Sequence, residues 1–211
     1  RPAFWSARFN MLRLLSLTTV VTLLCINCQL TKNIFGDEKS DQKKVEETSR
    51  VDNPDVKLTA GTWKDVQAIV AKSTGKIVVV DVWSTSCLPC MLEFPHLVEI
   101  HKKHGEKAVC ISFNVDYVGI KSKPATTYEK KVQGFLQKHN ATCMNFLCTS
   151  PSDEIFQTLE LPSIPAVYVY GVDGKLLKRF DDSLFEDGKD EAFNYKDDIN
   201  PFVEELLKDV K

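Results

Sequence analysis

The chain has 211 residues, 43% of them hydrophobic, which suits one domain with a sizeable core plus appended segments. Lysine and arginine number 27 against 29 acidic residues, and the resulting net charge of -2 offers no electrostatic case for binding nucleic acid.

The sequence opens on Arg1, and Met11 begins a pattern of a basic residue, Arg13, followed by the apolar run Leu14 to Ile26, interrupted by Ser16 and three threonines. Those thirteen residues are short for a bilayer core of about 30 Å and suit the apolar region of an export signal. Residues 1–31 are accordingly expected to be a signal or anchor segment. Cys25 and Cys28 are candidates for lipidation, although Thr-Leu-Leu and Cys-Ile-Asn before them are not small-residue cleavage patterns. A cleaved signal, a lipid anchor and an uncleaved signal anchor all remain open. From Lys32 to Lys57 half of the twenty-six residues are charged, so residues 32–55 read as a flexible linker that cannot bury enough apolar area to offset its ordering entropy. Export followed by a tether places the folded part outside the cytoplasm, with membrane association only through the N-terminal segment.

The folded domain is expected over residues 56–211. Thr62 with Asp65 resembles a helix cap, and Trp63, Val66, Ile69 and Val70 form a helical stripe ending near Lys72. Ile77 to Val82 is a β-branched run without alternation, the pattern of a central strand buried on both faces. After a short loop, Cys87 and Cys90 stand at C-x-x-C spacing at the start of a helix that runs to His104 with Pro95 inside it. Ala108 to Val115 supplies the next buried strand, and the order strand, helix, strand indicates a parallel pair with a right-handed crossover. Between 116 and 152 come a loop, a helix over Ala125 to His139 and a short strand over Thr142 to Cys148, which look like an insertion between core elements. Asp153 to Leu159 forms one or two helical turns. Ala166 to Tyr170 and Lys175 to Phe180 flank the turn Gly171-Val172-Asp173-Gly174 and predict a hairpin. Asp181 to Asp198 reads as an acidic surface loop, and Asn200 as the cap of a last helix with Phe202, Val203, Leu206, Leu207 and Val210 on one face.

A cysteine at a helix N-terminus faces unpaired backbone N–H groups and the positive end of the helix dipole, which favour thiolate over thiol. Cys87 is therefore the candidate nucleophile, and Cys90, one turn on, can close a disulfide with it. Half of a zinc site is the competing reading and needs two further ligands. No metal and no cofactor is expected. Asp81 in its apolar strand is costly to ionise, so its pKa should rise.

Taken in order, these residues resemble the thioredoxin-fold proteins of the exported TlpA/ResA-like kind. The match rests on Asp81 six residues before the first cysteine, Trp83 two after it, Pro89 before the second cysteine, and Glu93-Phe94-Pro95 with its helix-kinking proline. Ile164-Pro165 stands where the family has a cis-proline loop, followed by the Asp-Gly hairpin. The resemblance implies an α/β fold, a thioredoxin-like mixed sheet flanked by helices with a central insertion at about 116–152. It implies a thiol-disulfide oxidoreductase, more a reductant than an oxidant, with Cys87 attacking, Cys90 resolving and Asp81 accepting a proton from Cys90. Ile164, Pro165, Trp83 and Ser86 are the expected substrate-binding residues. The implied partners are cysteine-containing exported proteins, apocytochrome c among them, and an upstream membrane dithiol donor.

Ser86 departs from the family, which has tryptophan immediately before the first cysteine. A hydroxyl in place of a large apolar lid brings Thr85-Ser86-Cys87 superficially nearer to a peroxiredoxin-type thiol peroxidase. Against that alternative, Val80 occupies the place of the proline in the Pro-x-x-x-Thr-x-x-Cys pattern, and Ser84 that of the threonine. A non-enzymatic binding module is a further alternative. Cys110, Cys143 and Cys148 are expected to be free, mostly buried thiols.

Overall fold

The computed structural model describes residues 53–181 and 193–210. The expected signal or anchor segment, with Cys25 and Cys28, lies outside the described residues, as do most of the linker and residues 182–192 of the acidic stretch. Among the described residues, no helix is long and apolar enough to cross a membrane.

The elements run β1 (Leu58–Gly61), α1 (Trp63–Lys72), β2 (Ile77–Trp83), α2 (Leu88–His104), β3 (Ala108–Asn114), α3 (Glu129–Lys138), β4 (Met144–Cys148), α4 (Ser152–Leu159), β5 (Ala166–Tyr170), β6 (Leu176–Phe180) and α5 (Asn200–Leu207). The strands form one six-stranded sheet in the order β1-β4-β3-β2-β5-β6. The first three pairings are parallel, and β5 joins β2, and β6 joins β5, antiparallel. This is the thioredoxin-like mixed sheet that the sequence predicts.

β2 holds the centre because its residues suit burial on both faces. Ile77, Val79 and Trp83 enter a core cluster with residues of α2, α3 and α5, while Val78, Val80 and Val82 enter a second cluster with residues of α1 and α4. α1 presents Trp63, Val66 and Val70 to that second cluster, and its start is fixed by the Thr62 backbone N–H donating to Asp65 Oδ2 at 2.7 Å. The expected helix of residues 125–139 divides into a single 3₁₀ turn, Ala125–Tyr128, and α3. The hairpin turns where predicted, with Gly174 at φ 75° and its N–H on the Gly171 carbonyl at 2.9 Å.

Three features differ from the sequence expectations. β1 was not expected, since Leu-Thr-Ala-Gly lacks a strand pattern; it forms by laddering along β4, from Leu58 opposite Asn145 to Gly61 opposite Cys148. A Cβ at Gly61 would lie 2.6 Å from the Phe146 ring, so glycine permits the close approach. Asn53, inside the expected linker, is tied to the domain: its N–H donates to Gln137 Oε1 of α3 at 2.8 Å. The end of the acidic stretch is not a surface loop: Tyr195–Ile199 forms a π-type turn leading into α5, with Tyr195 and Ile199 buried. Its cap is Asn194, which accepts from the Asp197 N–H at 2.9 Å, and Asn200 lies inside the helical run instead of capping it.

Candidate active site

β2 ends at Trp83, and the chain passes through Ser84, Thr85 and Ser86 before α2 begins at Leu88. Cys87 is therefore the N-cap of α2, and its Sγ accepts the Cys90 N–H at 3.2 Å. One of the donors that a helix start leaves without an internal partner is thus aimed at sulfur. On a reduced Cys87 that hydrogen bond and the helix dipole stabilise negative charge. Cys87 is half-buried and Cys90 only 1% exposed, so attack from outside falls to Cys87. The two are joined in a disulfide with their Cα atoms 5.3 Å apart.

Alternation along β2 puts Asp81 on the same face as Val79 and Trp83, the face covered by α2, and Cys90 packs in that cluster. Asp81 is 2% exposed. Its Oδ2 accepts from the Tyr195 hydroxyl at 2.8 Å, and its Oδ1 has no partner among the described residues. Burial pushes the carboxyl up to about 7; the Tyr195 hydrogen bond pulls it back and the charge of Glu93 pushes it further up.

The Ile164–Pro165 peptide is cis, and the Ile164 carbonyl oxygen lies 3.7 Å from Cys87 Sγ. Both residues are partly exposed and stand beside the accessible sulfur. Ser86 is exposed next to it. Trp83 does not belong to this surface. It is fully buried, packs on Phe94 and Phe135 with ring centroids 4.8 Å away in each case, and donates Nε1–H to Ser112 Oγ at 2.8 Å. The expectation that Trp83 binds substrate is corrected: the side chain points into the core on the alternating face of β2 and supports the site from beneath.

A buried carboxylate organises the loop before Cys87. Asp116 Oδ1 accepts from Ser84 Oγ at 2.6 Å, from the Thr85 N–H at 2.7 Å and from Asn114 Nδ2 at 3.2 Å, while Oδ2 accepts from the Thr85 hydroxyl. Ser84 Oγ in turn lies 2.7 Å from Ser86 Oγ. Ser86, the residue before Cys87, is thus linked through two hydroxyls to a carboxylate beyond the end of β3. Cys110, Cys143 and Cys148 are unpaired and buried.

Asp116 and Tyr195 both escape the sequence reading. Asp116 follows a buried strand directly, and that position beside the C-terminal ends of parallel strands was its available signal. Tyr195 is an aromatic residue in a charged run, 114 positions from its partner, and nothing local marks it.

No family model matches the chain. Over 193 residues it is 24% identical to the thiol-disulfide oxidoreductase ResA of Bacillus cereus, an alignment that covers 90% of this chain and 98% of that protein. Among solved structures, the pneumococcal exposed lipoprotein thioredoxin of Streptococcus pneumoniae matches with 23% identity and a TM-score of 0.46, covering 65% of this chain and 90% of that one. StoA from Bacillus subtilis matches with 17% identity and a TM-score of 0.39, covering 64% of this chain and 82% of that one.

Proposed function

We propose that the chain is a thioredoxin-fold thiol-disulfide oxidoreductase of the TlpA/ResA-like kind that works outside the cytoplasm and reduces disulfides of exported proteins through Cys87 and Cys90. The observation that carries this reading is the Cys87 sulfur at the N-cap of α2, accepting the N–H of the buried Cys90 to which it is disulfide-bonded. The apolar run Leu14 to Ile26 supports export.

In the reduced protein the Cys87 thiolate attacks one sulfur of a substrate disulfide. The substrate S–S bond breaks, one substrate thiolate leaves and takes up a proton, and Cys87 holds the other in a mixed disulfide. Asp81, ionised, then takes the proton of the Cys90 thiol. The Cys90 thiolate attacks Cys87 Sγ and displaces the second substrate thiolate, so two electrons pass to the substrate and the Cys87–Cys90 disulfide forms. A dithiol donor returns the protein to its reduced form by the same exchange in reverse. Ile164, with its carbonyl beside Cys87, offers backbone polar groups to an extended substrate segment. Apocytochrome c and other exported cysteine proteins are the proposed substrate class.

Trapping with Cys90→Ser tests the reading: a covalent adduct on Cys87 is expected, together with a two-electron midpoint potential of the unmutated pair well below about -120 mV, the level of a strong oxidant. Unreactive Cys87, or no adduct with any disulfide substrate, overturns it.

A further inference from the structure

Three contacts converge on Tyr195 from two different elements. Its hydroxyl donates to Asp81 Oδ2 of β2 at 2.8 Å. Its backbone N–H donates to Glu93 Oε2 of α2 at 2.8 Å, and its ring stacks on His96 of the same helix with centroids 5.9 Å apart. Glu93 and His96 lie three residues apart, on one side of α2, so the helix that begins at Cys87 also grips the residue that grips Asp81. The ring is 1% exposed although it belongs to a charged stretch. Burying a tyrosine hydroxyl without a partner is costly, and here the partner is the Asp81 carboxyl on the face of β2 that Cys90 packs against.

We propose that Tyr195 is the positioning residue for Asp81: by occupying Oδ2 it fixes the carboxyl plane and leaves Oδ1 as the atom that takes the Cys90 proton. This rests on the proposed role of Asp81 as proton acceptor. Only one oxygen of the carboxyl is held, and the other has no partner among the described residues. A carboxyl bonded at both oxygens would be a structural anchor; one bonded at a single oxygen keeps a basic site. The hydrogen bond also favours the ionised form, opposing the burial that disfavours it. Tyr195 itself is held far above its ordinary pKa by burial and by the Asp81 charge, so it stays a donor throughout the working range. The other groups around the pair are Glu93 and His96 from α2, Cys110 from β3 and Cys143 ahead of β4, while β3 sets Ser112 and β5 sets Val167 beside Asp81 in register. Cys110 and Cys143 are pushed up by burial and remain neutral thiols, which leaves Glu93 and His96 of α2 as the neighbouring ionisable groups.

The test is a stopped-flow reaction of the reduced full chain, carrying Cys25→Ser and Cys28→Ser, with a chromogenic nitroaryl disulfide. Attack by Cys87 releases one aryl thiolate and resolution by Cys90 releases the second, so the second phase isolates the proton step. Its rate should fall on the acid side as Asp81 protonates. Tyr195→Phe should move that limb to higher pH by about one unit, the worth of one hydrogen bond to a charged group, while the first phase stays unchanged. Asp81→Asn should abolish the limb, and adding Tyr195→Phe to it should change nothing further. An unmoved limb in Tyr195→Phe, with Asp81→Asn still abolishing it, overturns the role of Tyr195 and leaves that of Asp81. A limb that survives Asp81→Asn overturns both. In the protein with Tyr195 and Asp81 intact, carbon NMR should show the hydroxyl-bearing ring carbon of Tyr195 titrating with the Asp81 carboxyl at one midpoint; independent behaviour of the two signals overturns the inference without any substitution.

Discussion

Ser84 Oγ donates to Asp116 Oδ1 at 2.6 Å, tying the loop that delivers Cys87 to the chain just beyond β3. Ser86, the residue before Cys87, carries a hydroxyl 2.7 Å from Ser84 Oγ, so the polar contacts that start at the Asp116 carboxylate run through the whole loop. The Thr85 N–H and hydroxyl converge on the same carboxylate, so the three residues before Cys87 are arranged by polar contacts around a group that is 6% exposed.

Asp116→Ala should therefore be strongly destabilising. It leaves the Ser84 hydroxyl and both Thr85 donors buried without a charged acceptor, at a cost of about 3 kcal/mol, or roughly 6–12 °C in Tm for a domain of this size. Differential scanning calorimetry reads the shift. Alkylation of reduced Cys87 should slow as well, because the loop that holds the N-cap geometry loosens. Asp116→Asn, which keeps one acceptor oxygen, should fall between the parent and Asp116→Ala.

Phe94→Ala should be the costliest single truncation beneath the site. Phe94 is fully buried between Trp83 and Phe135, with centroids 4.8 Å and 5.2 Å away, and lies directly before Pro95, where α2 already lacks a backbone donor. Removing the ring leaves a cavity that neighbours on a sheet and two helices cannot fill, costing about 3–5 kcal/mol. Chemical denaturation should show the midpoint falling with an unchanged slope.

What the sequence made legible follows from how local each signal was. The β-branched run of β2, the cap at Thr62 and the Asp173-Gly174 turn are each written in a few adjacent residues, and each forms where expected. The pair Cys87–Cys90 and the raised Asp81 were readable for the same reason. β1 was not, because it owes its form to pairing with β4 and to the space left by Gly61. Trp83 was misjudged because strand alternation turns it inward while sequence distance keeps it near Cys87. Tyr195 was hidden inside a run of acidic residues whose composition argued for solvent, and its burial is decided by a carboxyl on a strand far away in the chain.

The pH dependence of stability has a sign that Asp81 sets. Its carboxyl is raised from 3.8 to about 7 by burial, so the folded protein binds a proton that the unfolded chain has already lost. The stabilisation is fully present below pH of about 4 and is lost as pH rises through about 7, on the order of 4 kcal/mol across that interval. Urea denaturation of the oxidised protein should show stability declining between pH 5 and pH 8. Asp81→Asn, which cannot ionise, should flatten this decline, and a slope that persists unchanged would assign it to another group.

Thiol reactivity should divide the cysteines sharply. Burial pushes Cys143 up to about 12 and Cys148 up to about 11, and raises Cys110 as well, so at neutral pH each is almost wholly thiol and shielded from solvent. A thiol with pKa near 11 carries a thiolate fraction of roughly one in ten thousand at pH 7, and lost access lowers its reactivity further. Cys87, half-exposed at a helix N-terminus with the Cys90 N–H on its sulfur, has every feature that acts in the opposite direction. Iodoacetamide added to the reduced native protein, followed by peptide mapping, should therefore label Cys87 at least about a hundredfold faster than Cys110, Cys143 or Cys148. All three should become labelled at ordinary thiol rates once denaturant unfolds the domain. Labelling of Cys148 at a rate comparable to Cys87 in the native protein would mean that the α4 side of the sheet opens on the experimental timescale, and hydrogen exchange in β4 would then have to be correspondingly fast.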